Sequence, residues 1–283
     1  MTKIFGISGK KRSGKNTLAN FMHGEILKNK EVIRNYQISE FGDLIVNSHR
    51  IERDGSVVED MGILDLTQKN EAFFDFASNR IWPHVKLYHF ADALKEICMS
   101  MFGLTYDQAY GLDKDSPTKL RWEDMPGVIT PECAIEFGES NNLWRIGYEP
   151  TLEELNDMFQ DITLVHQSGV MSAREVLQFV GTDIFRRMNN SVWVDLVINQ
   201  IEMDNPEVAI IADCRFENEA NAIKEKGGLL VLLERETEPD THISEHAMKN
   251  VVFDIKLDNR NLSILETHEL FLRELSHRNI NLC

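Results

Sequence analysis

The chain has 283 residues, 42% hydrophobic and 27% charged, which suits one large folded domain or two small ones and excludes a disordered or fibrous protein. Its formal net charge of −16 works against bulk nucleic acid and anionic membranes as partners, and no aliphatic run approaches bilayer length. Cys98, Cys133, Cys214 and Cys283 form no CxxC pair, which excludes a zinc ribbon and a disulfide framework. Met1–Gly6 run straight into a strand pattern, so no signal peptide is expected and the expected location is the cytoplasm.

Ile4, Phe5 and Ile7 predict a strand ending at Ser8-Gly9, and Leu18, Phe21, Met22 and Ile26 predict the helix after it. Phe41–Val46 and Ile51–Glu59 are expected to pair as a hairpin, with turn chemistry from Asp54-Gly55. Val85–Phe90 reads as a second core strand, followed by a helix with Leu94, Ile97, Cys98 and Met101 on one face. Gly103–Gly169 is rich in Asp, Glu, Pro and Trp, has poor periodicity, and reads as an insertion or cap. Ser172 and Glu175 fit a capping box for a helix carrying Val176, Leu177, Val180 and Ile184 on one side. Ser191 is the expected cap of the next helix, which carries Val194, Val197, Ile198 and Ile201. Glu207–Asp213 predicts a strand, Phe216–Lys226 a helix stopped by Gly227-Gly228, and Leu229–Leu233 another strand. A strand near Val252–Leu257 and a helix from about Ser263 close the pattern. Strands alternating with helices place the fold in the α/β class, with a mostly parallel sheet covered on both faces.

The strongest chemical signal is Gly9-Lys10-Lys11-Arg12-Ser13-Gly14-Lys15-Asn16-Thr17, which follows a strand and opens a helix. Glycines let such a loop curl its N–H groups toward phosphate oxygens, and the helix dipole adds positive potential there. Gly9, Lys11, Ser13, Gly14, Lys15, Asn16 and Thr17 are therefore candidate phosphate-binding residues, with Lys15 reaching the β- and γ-phosphates of a nucleotide and Arg12 adding charge. Asn16 stands where Ser or Thr is usual and Thr17 follows it, so the metal-side hydroxyl is assigned to Thr17 within one residue. The bland reading is a Gly-rich turn with a solvated basic face.

Val208–Ala212 followed by Asp213 has the form of an apolar strand delivering a carboxylate to Mg²⁺. Arg215, two residues on, could neutralise charge on a transferring phosphoryl group, or could simply pair with Glu217 or Glu219. A rival motif is His242-Ile243-Ser244-Glu245-His246, which has the H-x-x-E-H form of inverted zinc peptidases but stands without an evident third ligand.

Taken in order, Gly9-xxx-Ser13-Gly14-Lys15-Asn16-Thr17, Phe90–Lys95, Gln178-xx-Gly181-Thr182-Asp183, Trp193-Val194, Asp213–Glu219 and Thr241–Glu245 resemble the deoxynucleoside monophosphate kinases of tailed bacteriophages. The resemblance covers roughly 1–28, 85–103 and 170–275; Asn16 replaces the usual Asp, and Ala93 a Pro or Ile. It implies a single P-loop kinase domain over 1–283 with five core parallel strands, and insertions at about 30–84 and 104–169. It also implies ATP and Mg²⁺, the latter near Thr17 and Asp213, with a deoxynucleoside monophosphate as the partner substrate. Phe90, Asp92, Lys95, Arg174, Gln178 and Trp193 become candidates for the monophosphate, against plain packing or capping roles for each. Lys15, Arg12, Arg215 and Asp213 become the candidate catalytic set. Oligomeric state is open, with a homodimer as one option. Other readings are a different small-molecule P-loop kinase, of the dephospho-coenzyme A or phosphomevalonate type, and a non-enzymatic nucleotide switch.

Overall fold

The computed structural model describes residues 2–51, 56–68, 70–111, 113–159, 163–235, 248 and 250–282. Its contacts divide the chain into two units, Met1–Asp92 with Ser191–Cys283, and Ala93–Asn190. The amino-terminal part of the first unit runs β1 (Lys3–Gly9), α1 (Lys15–Asn29), β2 (Tyr36–Ile38), β3 (Leu44–Ile51), β4 (Val57–Ile63), α2 (Glu71–Arg80) and β5 (Val85–Tyr88). α3 (Asp92–Phe102) leads into the second unit, with α4 (Tyr106–Ala109), β6 (Pro117–Arg121), β7 (Val128–Ile129), α5 (Pro131–Ser140), α6 (Leu152–Phe159), β8 (Leu164–Val165), β9 (Val170–Ser172) and α7 (Ala173–Gln178). The first unit resumes with α8 (Val192–Asp204), β10 (Val208–Ile211), α9 (Glu217–Glu225), β11 (Leu229–Leu233), β12 (Ile255–Leu257) and α10 (Ile264–His277).

Five strands of the first unit form a parallel sheet in the order β12-β11-β1-β10-β5. Strand alternation assigns its faces. Phe5, Ile7, Val208, Ile210, Val231 and Leu233 point to one side, where Leu18, Met22 and Ile26 of α1 and Phe271 and Leu275 of α10 cover them. Ile4, Ala209, Ile211 and Leu230 point to the other, under Val194, Val197 and Ile201 of α8 and Ala220 and Ile223 of α9. Each Val, Leu, Ile, Met or Phe side chain among them contributes roughly 1.5–3 kcal/mol on burial. The predicted α/β class and parallel sheet are both present.

β2, β3 and β4 form a separate antiparallel sheet. The predicted hairpin exists, but its strands lie at 44–51 and 57–63 instead of 41–46 and 51–59. The cause is a tight turn at 39–43: the Ser39 hydroxyl accepts the amides of Phe41 and Asp43, and Gly42 adopts φ 92°. That turn uses up the residues expected to start the strand. The predicted Asp54-Gly55 turn lies outside the described residues.

In the second unit, β6 pairs antiparallel with β9 and β7 parallel with β8. One apolar cluster gathers Cys98, Trp122, Met171, Val176, Phe179 and Val180, and another Ala134, Leu155, Phe159 and Val165. Met101, expected on the buried face of α3, is 71% exposed, whereas Cys98 is fully buried. Ser172 and Glu175 form the predicted capping box at α7. The helix then widens into a π-helical stretch, Phe179–Arg186, instead of continuing at α spacing. Ser191 precedes α8 as expected, but its side chain does not cap the helix amides. Among the described residues no helix is long and apolar enough to cross a membrane.

Candidate active site

Two neighbouring strands decide where a ligand can sit. The helix after β1 packs on one face of the sheet and the helix after β10 on the other, so a crevice opens beyond the carboxyl ends of these strands. The β1–α1 loop and the Asp213–Arg215 segment both emerge there. Hydrogen bonds from Ala212 N to Tyr88 O and from Cys214 N to Ile7 O carry the second segment across its neighbours.

The loop has the backbone of an anion cradle. Gly9 has φ 148°, and an added Cβ would lie 2.6 Å from Ser13 Oγ and 2.7 Å from the Leu233 carbonyl oxygen. Arg12 is held at φ 62°, unusual for a residue with a side chain, and Gly14 at φ 97°. Gly14 caps α1 without a side-chain bond, and no acidic residue occupies the first turn. The helix therefore presents its open amides and positive dipole end to the loop. Lys10, Lys11 and Arg12 are exposed and make no side-chain ion pair among the described residues. The Lys15 ammonium donates to the carbonyl oxygens of Gly9 and Lys10, at 2.6 Å each, and so lies over the loop itself.

Asn16 is exposed and Thr17 half-buried. Thr17 packs on the 39–43 turn, close enough that an added Cβ on Gly42 would lie 2.3 Å from its Oγ1, and Asn20 donates to the Gly42 carbonyl at 2.9 Å. Asp213 lies beyond β10 as predicted, with its carboxylate oxygens accepting the amides of Phe90 at 2.9 Å and Ala91 at 3.3 Å. It thus fixes the start of the segment after β5, and each oxygen keeps further acceptor capacity.

Arg215 is exposed and makes no ion pair among the described residues. The alternative pairing with Glu219 is displaced, because that buried carboxylate accepts the amides of Arg215 and Phe216, at 2.8 and 3.1 Å. Glu219 was missed as a site residue; its N3 position in α9 is the local signal that could have found it. Asn259, which donates to the Ser13 carbonyl at 3.0 Å, was missed as well and has no local signal, being 246 positions away.

The acceptor candidates divide. Phe90 and Trp193, each 4% exposed, are core side chains whose rings present no open face for stacking on a base. Asp92 heads α3 and pairs with His89 Nδ1 at 3.2 Å. In the second unit, the Lys95 ammonium lies 4.3 Å from the Tyr110 ring centre and Gln178 is exposed. Arg174 makes a two-bond fork with Asp115, Nε to Oδ1 at 2.6 Å and Nη2 to Oδ2 at 3.1 Å. Burial raises the Asp183 carboxyl above its ordinary range, with Arg187 opposing the shift. The His242–His246 motif lies outside the described residues.

A family model described as deoxynucleotide monophosphate kinase matches residues 88–268. A protein of Acanthamoeba polyphaga mimivirus named as a deoxynucleotide monophosphate kinase is 28% identical over 186 residues, which cover 60% of this chain and 72% of that protein. The deoxynucleoside-5′-monophosphate kinase of Escherichia phage T5 is 37% identical over 149 residues, 50% of this chain and 60% of that protein. The chain therefore spans about three fifths of the T5 relative's length.

Proposed function

The chain belongs to the deoxynucleotide monophosphate kinase family, and from that premise we propose that it transfers the γ-phosphoryl group of ATP to deoxynucleoside 5′-monophosphates. The observation that carries the proposal is the β1–α1 loop, where positive-φ glycines, an uncapped helix start and a cluster of cations converge in a chain of net charge −16. Such a local cationic field is what a polyphosphate needs against the repulsion of the rest of the molecule. We read the parallel sheet that carries the loop as a P-loop nucleoside monophosphate kinase fold.

In this reading Gly9, Lys11, Ser13, Gly14, Lys15, Asn16 and Thr17 cradle ATP. The Lys15 ammonium exchanges the carbonyls of Gly9 and Lys10 for β- and γ-phosphate oxygens. Arg12 and Arg215, both exposed, supply positive charge as negative charge spreads over the transferring group. The acceptor phosphate has a second pKa near ~6 and is largely dianionic at neutral pH, so no strong general base is required. Arg174, which would exchange its two-bond fork with Asp115 for phosphate oxygens, is assigned to the acceptor phosphate, with Lys95 supporting it and Gln178 reading the base. Asp92 is assigned to shaping the start of α3.

Mg²⁺ would be held by Asp213 and an oxygen of Thr17 or Asn16 together with phosphates and water, and would neutralise phosphate charge there. A carboxylate and a hydroxyl are oxygen donors, which suit a hard cation that keeps water and phosphate ligands.

The test is transfer of labelled γ-phosphate from ATP to a deoxynucleoside monophosphate, with Lys15→Ala beside the wild type. We expect transfer by the wild type and loss of at least a hundredfold in the variant, with an unchanged unfolding midpoint. An undiminished rate in Lys15→Ala removes the loop from the reaction.

A further inference from the structure

Asn259 follows β12 and lies against the β1–α1 loop. Its side chain is 2% exposed, and Nδ2 donates to the Ser13 carbonyl oxygen at 3.0 Å. The Ser13 amide is tied to Lys10 O at 3.2 Å, so both ends of this residue are fixed. The Ser13–Gly14 peptide is trans, and in a trans peptide the C=O and the next N–H point in opposite directions. A Ser13 carbonyl drawn toward Asn259 therefore turns the Gly14 N–H away from it. Gly14, at φ 97°, has the backbone freedom this orientation requires.

The rest of the Asn259 side chain argues against a purely structural purpose. Among the described residues its Oδ1 is buried without a hydrogen-bond partner, as is Ser13 Oγ. A buried unsatisfied acceptor destabilises the fold, so this amide returns little net stability for the bond it makes. We propose that Asn259 is a positioning residue for phosphate binding, holding the Ser13–Gly14 peptide so that the Gly14 N–H faces the ATP phosphates. The inference rests on the loop being the ATP site.

The experiment measures ATP affinity by titration calorimetry, Michaelis constants for both substrates, and unfolding midpoints, for wild type, Asn259→Ala and Asn259→Asp. Losing one oriented donor should weaken ATP binding roughly tenfold. The KM for the monophosphate should stay within about twofold, and the midpoint should fall only modestly, because the buried Ser13 carbonyl loses its donor while the orphaned Oδ1 is removed. Gly14→Ala acts on the same peptide, so combining it with Asn259→Ala should cost less than the product of the two single effects. Should Asn259→Ala not fold, Asn259→Asp, nearly the same shape, carries the test: it sets an acceptor against the Ser13 carbonyl and must weaken ATP binding at least as much. Unchanged ATP affinity in a folded variant overturns the inference, as do equal losses for both substrates in step with stability, or full multiplicativity with Gly14→Ala. A wild type that binds no ATP defeats the functional reading instead, and the two failures are thereby separate.

Discussion

Replacing Gly9 with alanine should damage the protein far more than the same change at Gly14, although both glycines belong to one loop. At Gly9 the new Cβ would meet Ser13 Oγ at 2.6 Å, the Leu233 carbonyl oxygen at 2.7 Å and Leu233 Cβ at 3.2 Å. Ser13 is fully buried and cannot swing aside, and Leu233 belongs to β11, directly paired with Gly9 in the sheet. Relief must come from moving backbone. Overpacking of this kind costs about 1–3 kcal/mol, and the φ of 148° adds a further 1–3 kcal/mol for a residue with a side chain. The expected loss is about 4 kcal/mol, a large part of an ordinary domain's stability. At Gly14 the nearest atom to an added Cβ is 3.9 Å away, so only the backbone conformation resists, at about 1–2 kcal/mol. Urea unfolding of the two variants measures the difference, and ATP titration should show weakened binding in both. Equal unfolding free energies for Gly9→Ala and Gly14→Ala would refute the steric argument.

Arg215→Ala should lower kcat about a hundredfold with little change in KM, because its guanidinium is assigned to charge that develops during transfer. Arg174→Ala should chiefly raise KM for the monophosphate; steady-state kinetics that move only the apparent ATP affinity in both variants would contradict these roles. Stability should also fall in mild acid. Burial pushes His23 and His268 down to about 4, against 6.5 for a free ring. Between pH 6.5 and 4 the unfolded chain then binds more protons than the folded one, so stability declines as pH drops through that window, by about 3 kcal/mol per ring, and levels off below it from this source. His268 stacks on Phe21 at 4.0 Å and 13°, so His268→Phe should keep the stack and make the pH dependence of the urea midpoint shallower. A slope identical to wild type would remove His268 from the explanation.

What was readable from the sequence follows the range of the interactions concerned. β1, the loop and α1 are determined by neighbours within about thirty positions, and the Ser172–Glu175 box by neighbours three apart. Asp213 was found because an apolar strand ending in a carboxylate is itself a local pattern. The hairpin after Tyr36 slipped because a Ser39-centred turn competes with strand formation, and hydrophobicity alone does not register it. Phe90 and Trp193 could be named only as candidates beside a packing role, since an aromatic side chain has the same identity in a core as in a pocket; only packing distinguishes the two. Asn259 could not be read at all, because its meaning depends on a contact with Ser13 made through the sheet.

The most direct measurement of the central claim is a coupled assay of ADP release with MgATP and a panel of deoxynucleoside and ribonucleoside monophosphates, each product identified by chromatography. The account predicts ADP formed in equal amount with a deoxynucleoside diphosphate for at least one deoxynucleoside monophosphate, and both abolished together in Lys15→Ala. ADP release that ignores every monophosphate, or no turnover of ATP with any of them, would contradict it.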